Sequence, residues 1–233
     1  MAYTTIDNPE LYFQCKLYTG NGSTNAITLD GSENMQPDLV WIKSRTQSGY
    51  NHCLTDSVRG ATKVLRSNLA NDEDTYADSL TSFNSDGFTL GADSSNSEMN
   101  QNTKTYVAWC WKESATAGFD IDSYTGNETA RTEAHSLSAV PHVMIVKNRE
   151  TGDDWNVYHH KNTSAPETDY LVLQTNAATN DYPQWNDTVP TSSVFSLGAS
   201  TGVNDDTGMI AYLWSEKQGF SKFGSYTGNG STD

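Results

Sequence analysis

Continuous apolar runs separated by polar clusters set the pattern of this chain. "DLVWIK" (38–43) and "HVMIVK" (142–147) each follow a proline and end in a polar loop, as a strand covered on both faces does. "TYVAWCW" (105–111) and "MIAYLW" (209–214) read the same way. The stretch "DSVRGATKVLRSNLA" (56–70), taken alone, has the spacing of an amphipathic helix. Its counterpart "KNTSAPETDYLVLQTN" (161–176) carries Pro166 and the β-rich "YLVLQ", and a proline inside a helix costs roughly 3 kcal/mol. A turn followed by a strand is therefore the expected form of both.

Counterparts exist because the chain repeats itself. "YTGNGST" stands at 18–24 and again at 226–232, and a diverged copy, "YTGNET", begins at Tyr124. Between these markers, "PDLVWIKSR" answers "PHVMIVKNR", "YNHCLTD" answers "WNVYHHK", "KVLRSN" answers "LVLQTN", "GFTLG" answers "VFSLG" and "VAWCWKE" answers "IAYLWSE", all in the same order. The chain divides into a leader (1–12), unit one (13–118), unit two (119–219) and the opening of a third unit (220–233). Each full unit holds about seven or eight short strands between Gly, Asn, Asp and Ser clusters, so the expected fold is all-β: tandem antiparallel β-sandwiches of the jelly-roll kind. The repeated heptapeptide falls just after a first strand, where its glycines are expected to supply the positive φ of a tight turn.

Charge narrows the partners. Lys and Arg total 14 against 29 Asp and Glu, a net charge of -15 that repels phosphate backbones and anionic membranes. No nucleic-acid partner is expected. The start, "MAYTTIDNPELYFQ", has no basic region or apolar core, and no run approaches the roughly 20 apolar residues of a membrane span, so no membrane association is expected.

Individual side chains offer little chemistry. Cys15, Cys53 and Cys110 align with Ile121, Tyr158 and Leu213, so all three are expected to be buried free thiols. His159 and His160 are strand neighbours that point to opposite faces, so no metal site is expected there. Glu113 and Glu216 recur at matched strand ends, where a solvated charge is expected. With no E-x-D-x-E string, nucleophile elbow, Walker loop or dinucleotide fingerprint, no catalytic residues are expected. No cofactor is expected either; Ca2+ is the one candidate, at the acidic loops "LANDEDTYAD" (69–78) and "GVNDDTG" (202–208). Trp41 aligns with Ile145 and Trp111 with Trp214, which assigns both to the core. Tyr182 and Trp185, in the loop "DYPQWNDTVP" (181–190), have no equivalent in unit one and form the candidate ligand-binding pair, suited to stacking on a sugar ring, with burial under the loop as the alternative.

With the repeat laid out, "PDLVWIKSR", "DSVRG", "SFNSDGFTLG", "TYVAWCWK" and "GFSKFGSYTGNGS" resemble a repeat found in tail-fibre-like and other virion proteins of marine bacteriophages. Those domains are similar to concanavalin A-like lectin sandwiches. The resemblance implies a non-enzymatic virion structural protein made in the host cytoplasm, namely a tail-fibre or adhesin segment. Its leader would dock on other tail or capsid proteins, and its sandwiches would space or present a surface toward a host glycan, commonly as a homotrimer. A carbohydrate-binding module, a capsid decoration protein and a polysaccharide-degrading tailspike with its chemistry outside this segment are the alternatives. Unit two departs from the pattern by lacking "DSVRG" and "SFNSDGF".

Overall fold

The computed structural model describes residues 4–231; the leader's first three residues and the last two of the expected third unit lie outside the described residues. In the first repeat the strands are β1 (Phe13–Thr19), β2 (Asn25–Thr28), β3 (Leu39–Ser44), β4 (His52–Asp56), β5 (Lys63–Arg66), β6 (Asp74–Thr75), β7 (Leu80–Asn84), β8 (Gly87–Leu90) and β9 (Thr105–Trp111). In the second they are β10 (Phe119–Thr125), β11 (Arg131–Ala134), β12 (Val143–Asn148), β13 (Asn156–His159), β14 (Asp169–Val172), β15 (Asn180–Asp181), β16 (Val194–Leu197) and β17 (Gly208–Trp214), with a short helix, α1 (Thr201–Asn204), before β17. The 56–70 stretch runs as a turn followed by β5.

Two six-stranded sheets have the same plan, β1-β9-β3-β4-β5-β6 and β10-β17-β12-β13-β14-β15, and each carries a small sheet, β2-β8-β7 or β11-β16. All the strand pairs are antiparallel, for example β1 with β9 and β10 with β17. One core lies between each large sheet and its small one: Ile27, Phe88 and Leu90 against Val40, Ile42 and Tyr106 in the first repeat, Phe195 and Leu197 against Met144, Val146 and Leu213 in the second. A third core joins the two large sheets through their outer faces, with Leu39, Leu54 and Leu65 of the first set against Trp155, Ile210 and Tyr212 of the second. The layers are therefore small sheet, large sheet, large sheet, small sheet.

The repeated heptapeptide is a turn pinned from behind. Asn100 accepts the Asn21 amide at 3.1 Å, and its equivalent Asn204 accepts the Asn127 amide at 3.2 Å. A Cβ on Gly20 would run into Gln101 O, and one on Gly126 into Asp205 O, so the first glycine is needed for close backbone approach. The second position is left-handed, with φ of 65° at Gly22 and 51° at Glu128. Over 220–231, where a first strand was expected, there is only an isolated bridge from Lys217 to Ser221. β1 and β10 take strand form against β9 and β17, and no described strand offers residues 220–231 such a partner.

A buried polar network crosses between the large sheets. The Arg59 Nε donates to Asp56 at 2.5 Å and its Nη1 to Glu73 at 3.0 Å, with the side chains of Asp56 and Arg59 fully buried. From the second repeat, Tyr212 donates its hydroxyl to Asp56 at 2.7 Å and Arg149 forks onto Glu73 with two bonds of 3.0 Å. The Trp155 indole N–H is shared by Arg66 O and Leu69 O, each at 3.0 Å. "DSVRG" thus supplies Asp56 and Arg59 to the joint between repeats, which accounts for its presence in one copy only: the partner copy contributes Tyr212 and Arg149 instead.

A candidate binding face on the first large sheet

Strand register writes the outer face of the first large sheet as rows of side chains. Trp109 of β9 lies between Cys15 of β1 and Trp41 of β3, and Trp41 in turn faces Leu54 of β4. The next row places Val107 between Leu17 and Lys43, with Lys43 opposite His52. In the second large sheet the same rows are Ile121, Tyr212, Ile145 and Val157, then Ser123, Ile210 and Lys147.

Equivalent positions meet different environments because the sheets pack off-centre. The second repeat covers the first sheet over Leu39, Leu54 and Leu65, touches Trp41 and Trp111 at its edge, and stops short of Cys15, Leu17 and Trp109. Ile121, Tyr212 and Ile145 are therefore at most 8% exposed, whereas Cys15 is exposed, Leu17 is 55% exposed and Trp41, Trp109 and Trp111 are half-buried. Lys147 is sealed, with its ammonium held by Asn148 O and Thr151 O, and burial pulls its pKa down to about 8. Its equivalent Lys43 stays half-exposed at the rim of the open face and donates to Tyr50 O.

Two corrections to the sequence reading follow. Trp41 and Trp111 pack only against the edge of the inter-sheet core and keep one side open, and Cys15 is exposed while Cys53 and Cys110 are buried. The repeat correctly pairs Cys15 with Ile121, but the first repeat covers Ile121 while the second leaves Cys15 open.

Two grooves meet at these indoles. One, of about 340 Å³, is lined by Trp41, Lys43, His52, Trp109 and Trp111. The other, of about 380 Å³, follows the seam between the sheets and is walled by Phe13, Trp41, Trp111, Phe119, Trp214 and Phe223 among others. The indole rings meet edge to face, Trp41 with Trp109 at 6.4 Å and Trp111 with Trp214 at 6.4 Å, which leaves ring faces available for a ligand. The Trp41 Nε1 has no hydrogen-bond acceptor among the described residues. Burial, then Lys43, pushes the His52 pKa below its usual value, so its imidazole is neutral near pH 7 and offers one donor and one acceptor.

The loop pair expected to bind ligand is divided by the fold. Trp185 is 0% exposed, sits in the second repeat's core edge to face with Tyr158 at 5.9 Å, and satisfies its N–H on Asp169 O at 3.0 Å. An indole whose polar end already has an internal partner gains most from full burial. Tyr182 is 53% exposed and stands apart from it. The signal for the open face was present in "WCW": tryptophans at alternate positions of one strand share a face.

Carboxylates also differ from expectation. Glu113 is half-buried, and burial together with Asp120 pushes its pKa up to about 7; Asp122, two residues along β10 from Asp120, is pushed up to about 7 by burial and then Glu133. Asp120 itself accepts from the Ser136 amide and hydroxyl at 2.7 and 2.6 Å. The D-x-D of "FDIDSY" could have revealed this alternate-position acid pair. The group lines a depression that shares no residue with either aromatic groove. Both raised carboxyls hold their proton more tightly than in the unfolded chain, where 4.5 and 3.8 apply. The stability they contribute is fully present below about pH 4 and is lost as pH rises through about 7. Glu113→Gln is accordingly expected to raise the melting temperature at about pH 8 and to leave it nearly unchanged at about pH 4. Equal shifts at both pH values in thermal melts would contradict this.

Of the two acidic loops, the first commits Glu73 to Arg59 and Arg149 and Asp74 to Arg66, while its Asp78 accepts from the Ser94 amide at 2.9 Å. In the second, Asp205 and Asp206 approach Glu128 with one oxygen each within 4.8 Å. Asp205 there accepts from Asn148 at 2.8 Å and Thr207 at 3.2 Å. His142 and His160 meet edge to face at 4.5 Å, and His160 is anchored to Phe223 O at 3.2 Å, so these rings seat the segment that walls the seam.

One family model, described as a domain of unknown function (DUF7483), matches residues 8–233 and runs through both repeats. The chain belongs to that family. No curated protein and no solved structure matches it. In this DUF7483 chain the two repeats share a buried joint, and the open side of the first large sheet is the surface on which its aromatic side chains are concentrated.

Proposed function

We propose that the protein is a non-enzymatic structural component of a bacteriophage particle, a tail-fibre or adhesin segment that presents a binding face toward the host surface. The observation that carries this reading is the open aromatic side of the first large sheet, held at a fixed angle to the second by the buried Asp56, Arg59 and Tyr212 contacts. A joint of this kind suits a spacer, since relative motion of the repeats would break the buried Tyr212–Asp56 hydrogen bond and the Arg149–Glu73 ion pair. The resemblance of "PDLVWIKSR" and "TYVAWCWK" to a phage virion repeat supports the setting. In the same setting the leader docks on a tail or capsid protein; within it, Asn8 and Glu10 already hold Ser32 of the first repeat. Antibody labelling of purified particles tests the reading: decoration of the tail or its fibres is expected, and particles that lack the protein would overturn it.

A further inference from the structure

We propose that the open outer face of the first large sheet binds neutral polysaccharide, stacking pyranose rings on the faces of Trp109 and Trp41, with Lys43 and His52 as hydroxyl partners. This rests on the reading of the protein as a surface-binding element and names the ligand class of that face.

Three features select the ligand. A pyranose ring has a C–H face and a hydroxyl edge, and the groove offers the matching halves: indole rings at its floor, an ammonium and a neutral imidazole at its rim. Partly positive C–H groups are attracted to the negative face of an aromatic ring, while hydroxyls need both donors and acceptors. Size is the second feature. At about 340 Å³ the groove takes one or two sugar rings. A stable protein partner would instead bury roughly 800 Å² on this side. The third is charge: at -15 the chain repels anionic polymers, so an uncharged chain is the glycan it can approach.

Affinity electrophoresis and calorimetry of the full chain against dextran and laminarin, with alginate as the anionic comparison, test the proposal. At least one of the two neutral polymers is expected to bind, and alginate is not. Trp109→Ala and Trp41→Ala should each weaken binding roughly tenfold or more, since about 1.4 kcal/mol is a factor of ten. Lys43→Met, which leaves the aromatic floor intact, should weaken it severalfold. Tyr182→Ala should leave it unchanged. Circular dichroism checks folding of each variant, and quenching of tryptophan fluorescence by acrylamide should fall when the wild-type chain is bound. Undiminished binding by Trp109→Ala, tighter binding of alginate, or binding of neither neutral polymer would overturn the proposal. So would a doubled mass in light scattering that Trp109→Ala abolishes, because the face would then be an interface between copies. Particles that carry the protein while it binds neither polymer would sink this inference and leave the virion reading standing. Polymer binding with no copy on particles would do the reverse.

Discussion

Asp56→Ala is expected to cost about 3–5 kcal/mol of stability, because it removes one partner of a buried ion pair and leaves the other charge behind. Arg59 would keep Glu73 and Leu54 O, but its Nε and backbone amide would both lose Asp56. Tyr212 would also be left with a buried hydroxyl and no acceptor; burial already raises that phenol's pKa well above its usual value, so it cannot escape by ionising. For a chain of this length the loss corresponds to a fall of about 10 °C in melting temperature. The exposed Lys16–Asp30 pair is the internal comparison, since its removal should cost about 1 kcal/mol or less. Chemical denaturation of both variants decides the matter. Equal small effects would mean that the Asp56 network does not join the repeats.

Trp155→Ala should be as damaging, at about 3–5 kcal/mol. The ring is fully buried between the large sheets, stacks with Tyr212 at 6.5 Å and hydrogen-bonds two carbonyls of the first repeat. Truncation would open a cavity in the inter-sheet core and strip Arg66 O and Leu69 O of a donor. Trp155→Phe should recover most of the packing and none of the hydrogen bonding, so its loss should fall between zero and that of the alanine variant. If Trp155→Ala unfolds at the wild-type denaturant concentration, the sheets do not depend on one another.

Strand positions were legible in the sequence because they depend on local pattern and on the repeat. The runs around Trp41 and Ile145 form matched central strands, and the 56–70 stretch was separated from a helix by Pro166 in its counterpart. Burial on the outer faces was not legible. A repeat argument assigns equivalent residues the same environment, which holds for the two internal cores, where Tyr18 and Tyr124 both pack inward. It fails on the outer faces, where one sheet covers the centre of the other and is itself covered only at a corner. Cys15 against Ile121, Trp109 against Tyr212 and Lys43 against Lys147 are the results of that offset, which is a tertiary fact with no periodicity. Of the two readings open for Trp185, stacking on a ligand or burial under its loop, the fold takes burial, because Tyr158 and Asp169 of its own repeat provide the site, and a loop tryptophan without a repeat partner carries no local sign of that.

The central claim is that the first outer face is open and aromatic while Trp155 and Trp185 of the second repeat are sealed. Hydroxyl-radical footprinting of the native chain, read at each of its 6 tryptophans by mass spectrometry, tests it most directly. Trp109, Trp41 and Trp111 should oxidise readily and become protected when a bound neutral polysaccharide is present, whereas Trp155 and Trp185 should resist oxidation throughout. Rapid oxidation of Trp185, or a Trp109 as inert as Trp155, would contradict the account.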